Sequence, residues 1–274
     1  MGKLSTFAKN ELLDHIFKSA YGTGSTIYLC LCTGDPTIAG TGASMSEVAD
    51  ANGYARKAIT FGTAASRKII QSAQVDFDQA SGVWGTITHY SICDSATHGS
   101  GNMLAFGSFI SSFAPVTGNT PKVPISEVEV EIVATASGAG FSDYLVHKLL
   151  ELMFKATAYP TPSTSLHIAM STTILDDQDA VTGDFTESSG NGYAREPVPA
   201  TSFDVADSAT IANNTAITFD TPSGSWGIVV ALVTMDHLTA GNILAYDNAN
   251  VVDQEPGDGD TIEIAIGAYD AALD

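Results

Sequence analysis

The sequence predicts a mainly β protein of two tandem homologous β-sandwich domains, each preceded by an amphipathic N-terminal helix. Three observations carry this prediction. The pentapeptide NGYAR occurs at 52–56 and again at 191–195; SGVWG at 81–85 is answered by SGSWG at 223–227, and GNMLAF at 101–106 by GNILAY at 241–246. These matches recur in the same order at separations of 139, 142 and 140 residues, so the chain is a duplication with short loop insertions. Between the motifs lie short β-branched and aromatic runs bounded by Gly, Asn, Asp and Pro, the composition of strands and tight turns. Ahead of them, each half carries an apolar stripe of helical period.

The self-match extends in both directions. HIFKSAYGTGST at 15–26 resembles LMFKATAYPTPST at 152–164, and TGNT at 117–120 resembles DGDT at 258–261. The small-residue run ATASGAG at 134–140 lacks hydrophobic periodicity and marks the junction, which places the domains at 1–136 and 137–274. Leu12, Leu13, Ile16, Phe17 and Ala20 form the first helical stripe; Leu145, Leu149, Leu152, Met153 and Ala156 form the second, with Ser142 as its N-cap. Each stripe must be covered; packing on its own domain is the expectation, with docking on a neighbouring subunit as the alternative.

The strands of the first copy are expected in STIYLCLCT, the run ARKAITF, VWGTITHYSIC and MLAFGSF; the second repeats them in STSLHIAMST, ITFDT, SWGIVVALVTM and NILAYD. In SWGIVVALVTM both alternating faces are largely apolar, the signature of a central strand covered on both sides.

The repeated motif residues read as structure. Asn52 with Gly53, and Asn191 with Gly192, supply the positive φ of a tight turn; Tyr54 and Arg56, like Tyr193 and Arg195, then begin a strand with large side chains. The chain has only three arginines. Placing two of them at equivalent sites predicts buried stems paired to a carboxylate or to carbonyls of the same domain, with docking to a partner subunit as the sharper alternative. Trp84 and Trp226 read as core anchors, each followed by a glycine, Gly85 or Gly227, where a Cβ would crowd an indole or another backbone. Asn102 and Asn242 complete the set at the turn before the next apolar run.

Composition removes several classes of function. Lys and Arg number 11 against 31 Asp and Glu, a formal charge of -20 that repels nucleic acid and anionic lipid. No apolar run approaches the roughly 20 residues of a bilayer span, and the opening MGKLSTFAKNELLDHIF lacks the apolar core of a signal peptide. Cys30, Cys32 and Cys93 read as small buried hydrophobes. Nothing nominates a catalytic residue, a cofactor or a metal: there is no nucleophile elbow, no HExxH, no phosphate-cradling loop and no CxxC pair, and no histidine keeps an equivalent in the other half. Asp176, Asp177 and Asp179, and Asp258 with Asp260 around Gly259, are oxygen-rich enough to weigh for calcium, but a solvated turn is favoured because the first copy has TGNT at the latter site.

The order of helix, strand, acidic loop, NGYAR, G-x-WG-containing strand, GN turn and final hairpin resembles small β-sandwich structural proteins of tailed bacteriophage particles. The resemblance is carried by Asn52 to Arg56, Gly82 to Asp94 and Gly101 to Phe106, and again by Asn191 to Arg195, Gly224 to Asp236 and Gly241 to Tyr246. It implies a non-enzymatic virion protein whose partners are the major capsid protein or tail proteins of the same particle, and further copies of itself. There is no heptad shaft and no repetitive stalk, so capsid decoration is the first reading and a tail fibre, tail tip or baseplate component, in contact with host glycan, the second. The halves differ in charge, -3 for residues 1–136 and -17 for residues 137–274, which suggests that the first copy anchors and the second projects.

Overall fold

A computed structural model of the chain describes residues 2–18, 21–22, 26–133, 139–159, 165–175, 185–248, 251 and 254–273. The first repeat contributes β1 (Lys3–Leu4), β2 (Tyr28–Cys32), β3 (Lys57–Ala58), β4 (Lys68–Ile70), β5 (Val75–Asp76), β6 (Ile87–Cys93), β7 (Met103–Phe113), β8 (Lys122–Val123) and β9 (Glu129–Glu131). The second contributes β10 (Ala139–Phe141), β11 (Ser165–Ser171), β12 (Glu196–Pro199), β13 (Thr210–Ala212), β14 (Ile217–Thr218), β15 (Ala231–Met235), β16 (Ile243–Asp247), β17 (Glu263–Ile264) and β18 (Asp270–Ala272).

Each repeat forms one antiparallel five-stranded sheet, in the order β1-β7-β6-β2-β3 and β10-β16-β15-β11-β12. The two orders are the same order. Two-stranded ladders accompany each sheet, β4 with β9 and β5 with β8 in the first repeat, β13 with β18 and β14 with β17 in the second. The fold is mainly β, with one sheet cluster per repeat and one helix near the start of each, which is the predicted class. Strand β15 lies in the middle of its sheet, where its doubly apolar pattern belongs.

Two strand features depart from the sequence reading. Tyr-Ala-Arg does not begin a strand; β3 and β12 start immediately after Arg56 and Arg195, because both arginines turn into the loops described below. The end of the small-residue run at 134–140 is not all linker, since Ala139 and Gly140 open β10 and pair with β16. In β12, Pro197 and Pro199 stand opposite His167 and Ser165 on the terminal strand of the sheet, the position that tolerates a residue without an N–H.

The helices are α1 (Thr6–Phe17) and α2 (Asp143–Lys155). Each starts at a serine: Ser5 Oγ accepts from Ala8 N at 3.1 Å and Ser142 Oγ from Leu145 N at 3.2 Å, satisfying a backbone donor that the first turn leaves unpaired. The same two hydroxyls donate to Met103 O and Ile243 O, tying each helix start to its own sheet. Leu12, Leu13, Ile16 and Phe17 are buried, as are Leu145, Leu149, Leu152 and Met153. Ala156 is exposed and lies just past the end of α2, so it leaves the predicted stripe, and Ala20 falls outside the described residues. Val146, Leu150 and Phe154 are also buried, which widens the second stripe beyond the predicted face.

The chain packs as two units whose composition crosses the repeat boundary. Unit 1 consists of Met1–Lys9, Gly22–Ile132 and His147–Ala158; unit 2 consists of Asn10–Tyr21, Val133–Val146 and Tyr159–Asp274. Each unit therefore combines the strands of one repeat with most of the helix of the other. The expectation that each stripe packs on its own domain is corrected: amphipathicity states that a face is buried, and leaves open which sheet buries it.

Candidate functional site

The repeated motifs converge on one arrangement, present once in each unit. In unit 1, Asn52 (φ 55°) and Gly53 (φ 79°) make a tight turn; in unit 2, Asn191 (φ 49°) and Gly192 (φ 83°) make the same one. The Asn side chain then reaches across to the tryptophan turn. Asn52 Nδ2 donates to Val83 O at 3.1 Å and Asn191 Nδ2 to Ser225 O at 2.7 Å, lying so close to Gly82 and Gly224 that a Cβ there would collide with the amide.

Trp84 and Trp226 return the bond, donating Nε1–H to Asn52 O at 2.9 Å and Asn191 O at 3.1 Å. Both indoles are buried, 5% and 3% exposed, and each stands edge-on to the motif tyrosine at 5.3 and 5.2 Å between ring centroids. Neither can serve as an open stacking platform. Gly85 and Gly227 adopt φ of +86° and +85°, and their neighbour is a threonine methyl, Thr33 or Thr172, instead of the predicted indole or backbone.

Behind the turn, the tyrosine hydroxyl joins strand to carboxylate. Tyr54 Oη accepts from Leu31 N at 3.0 Å and donates to Glu47 Oε1 at 2.8 Å; Tyr193 Oη accepts from Met170 N at 2.9 Å and donates to Glu187 Oε1 at 3.1 Å. Burial, with the neighbouring charges, pushes both phenols above their ordinary range.

The arginine closes the arrangement. Arg56 Nε and Nη2 take both oxygens of Glu47 at 2.9 and 2.8 Å, Nη1 donates to Ser95 O and Ser100 O at 2.8 Å each, and Nη2 donates to Gly42 O at 3.0 Å. All five guanidinium donors are used. Arg195 repeats the pattern with Glu187, both bonds 2.8 Å, and with His237 O and Ala240 O, both 2.7 Å. Burial alone would lower the affinity of Arg56 for its proton, but the Glu47 bonds and charge raise it on balance; for Arg195 the Glu187 bond is the leading cause of the same rise. The guanidinium thus fastens three loops to one another: the acidic loop before the turn, the turn itself, and the loop between β6 and β7 or between β15 and β16.

That last loop is closed independently. Asn102 N and Nδ2 donate to the two oxygens of Asp94 at 2.7 and 2.8 Å, and Asn242 does the same to Asp236 at 2.6 and 2.8 Å. Asp94 and Asp236 belong to the quoted motifs; Glu47 and Glu187 were missed. Their signal was present but displaced, since Glu47 lies five residues before Asn52 and Glu187 four before Asn191.

The remaining candidates resolve into turns and core. Asp260 Oδ2 accepts from Gly257 N at 2.8 Å, and in the first repeat Asn119 Oδ1 accepts from Val116 N at 3.0 Å in the same turn, so an amide oxygen does in one copy what the carboxylate does in the other. Asp258 is exposed. Asp176, Asp177 and Asp179 lie outside the described residues. Among the described residues, no three His, Cys, Asp or Glu side chains gather as a metal site, and no helix is long and apolar enough to cross a membrane. Cys30, Cys32 and Cys93 are free and buried, with the Cys32 thiol pushed up to about 12 mainly by burial.

Every repeated polar side chain of the arrangement has an internal partner, so the motif is a loop fastener written twice. The family model of podophage GP4 fiber I protein gp80 matches over residues 3–131 and again over 140–272. The chain belongs to this family. Two successive matches covering nearly the whole length make it a tandemly duplicated phage fibre protein, a virion structural component. No curated protein matches it.

Proposed function

We propose that this gp80-family chain is a non-enzymatic component of the tail-fibre apparatus of a podophage particle, held there by other tail proteins and by copies of itself. The family match over both repeats supports this reading, because the family is described by a fibre. Capsid decoration, placed first on the sequence alone, gives way to the tail reading on that finding. The geometry agrees with a passive scaffold: the arginine, glutamate, tyrosine and tryptophan side chains that two repeats share are spent on fastening loops. Loops fixed in this manner suit a protein that must hold its surface constant in an assembly.

The charge difference gives the chain a direction. With -3 on residues 1–136 and -17 on 137–274, the first repeat is the one that approaches other protein surfaces and the second the one that stays in solvent. Immunogold electron microscopy of purified particles, with antibody against the second repeat, tests the location. Label at tail ends is the expected result; label spread over heads would restore decoration and remove the tail reading.

A further inference from the structure

The two helices dock by matching contacts, apart from the lysine, whose acceptor differs between the units. In unit 2, Asn10 Oδ1 accepts from Ala209 N at 2.7 Å, Asp14 Oδ1 accepts from Ala206 N at 2.8 Å, Lys18 Nζ donates to Phe203 O at 2.8 Å, and Phe17 packs on Phe203 at 5.0 Å between centroids. In unit 1, His147 Nε2 accepts from Arg67 N at 3.0 Å, Glu151 Oε1 accepts from Ala64 N at 3.3 Å, Lys155 Nζ donates to Thr63 Oγ1 at 3.4 Å, and Phe154 packs on Phe61 at 5.3 Å. On the helices, 10, 14, 17 and 18 correspond to 147, 151, 154 and 155 at a constant separation of 137 residues; on the receiving sheets, 203, 206 and 209 correspond to 61, 64 and 67 at a constant 142.

The receiving surface is built for this contact. Ser66 and Arg67 have φ of 48° and 60°, and Ser208 and Ala209 have φ of 52° and 64°, so each hairpin tip is a two-residue turn made without glycine, a conformation that costs free energy at both positions. The turn closes on itself through Ala65 and Lys68, or Asp207 and Thr210, each pair exchanging two bonds. It leaves the N–H of its second residue pointing at the helix, where Asn10 or His147 accepts it. A backbone donor presented from a strained turn, a second donor three residues earlier and an aromatic ring before that form a recognition strip. The helix answers with acceptors 5 and 9 residues after its capping serine, and with an aromatic ring and a lysine at 12 and 13.

We propose that this strip is an exchange site: each repeat receives the helix of a sister repeat, and the helix of a second copy of the chain fits the same strip. Both strips accept their helix through equivalent backbone donors, and in each unit most of the helix comes from the other repeat. A repeat is therefore incomplete without a helix from outside it. Copies of the chain can link by trading helices, as proteins do when an identical element is passed between protomers.

The full chain carrying a protease site within 134–138 tests this. After folding and cutting, the halves are expected to stay together on size exclusion with light scattering. Two cut preparations, one isotopically heavy, are expected to form mixed complexes visible by native mass spectrometry. Asp14→Lys with Glu151→Lys, which places ammonium groups against backbone N–H donors, should weaken retention of the halves by about tenfold or more. Asp260→Asn, outside the strip, should leave it unchanged, and circular dichroism before cutting shows whether each variant is folded. Halves that separate on cutting, or that hold together equally well in the folded double-lysine chain, would overturn the proposal.

Discussion

The arginine fasteners of the two repeats share their geometry and differ in their surroundings. The Arg56 side chain is fully buried and Glu47 is 4% exposed; Arg195 is 5% exposed and Glu187 is 27% exposed. The same ion pair is thus a dry core element in the first repeat and a half-wet one in the second. A dry pair is costly to assemble but far more costly to break, since removing one partner strands a charge that water cannot reach. Duplication preserved the bond pattern and let the dielectric around it diverge.

The largest expected effect sharpens that difference. Arg56→Ala should cost about 3–5 kcal/mol, because it leaves the Glu47 charge buried without its guanidinium, beside the Tyr54 hydroxyl and the His98 ring, whereas Arg195→Ala should cost clearly less because Glu187 can be rehydrated. Chemical denaturation followed by tryptophan fluorescence reads both, with Trp226→Phe or Trp84→Phe leaving one reporter per unit. Equal losses would show that exposure of the glutamate does not govern the two sites.

Next in size is a test of which unit each helix serves. Phe17 lies against Phe203, Tyr269 and Phe141, all in unit 2, although it belongs to the first repeat. Phe17→Ala should cost about 3 kcal/mol, and the loss should appear at Trp226 and not at Trp84. A transition shifted at Trp84 alone would return the helix to its own repeat.

A smaller difference is expected in acid. Burial lowers the proton affinity of His15 and His167, both in unit 2, so the unfolded chain binds protons at these sites more readily than the folded one. Their contribution to stability is complete above the ordinary imidazole value of about 6.5 and is lost as pH falls below it. Unfolding midpoints at Trp226 between pH 7.5 and 5 should therefore fall more steeply than in His15→Phe, whose slope should flatten. The smallest effect belongs to the acidic turn: Asp260→Asn should change stability by less than about 0.5 kcal/mol, and calcium should not move the melting temperature of either form.

The sequence made the duplication, the turns and the buried tryptophans legible because each rests on short-range chemistry that both copies retain. Asn-Gly can be read as a turn without knowing what it faces. Glu47 and Glu187 were not legible, since their offset from NGYAR differs by one residue and the match dissolves among other acidic side chains. The short edge strands Lys3–Leu4 and Ala139–Phe141 offer too few residues for an alternating pattern. The destination of the helices was hidden for a deeper reason: a stripe of Leu, Ile and Phe is equally content against either of two homologous sheets. The polar positions, Asn10 and Asp14 against His147 and Glu151, differ in residue type and meet equivalent backbone donors, so they mark the contact without naming the sheet.

Pro197 and Pro199 carry a consequence for manufacture. A virion component must stay apart from its own copies until it assembles. A bare sheet border invites the next molecule to zip onto it, and the product is an insoluble ribbon. Two ring nitrogens on the border of the second sheet carry no N–H, so that side offers fewer of the donors that such zipping needs.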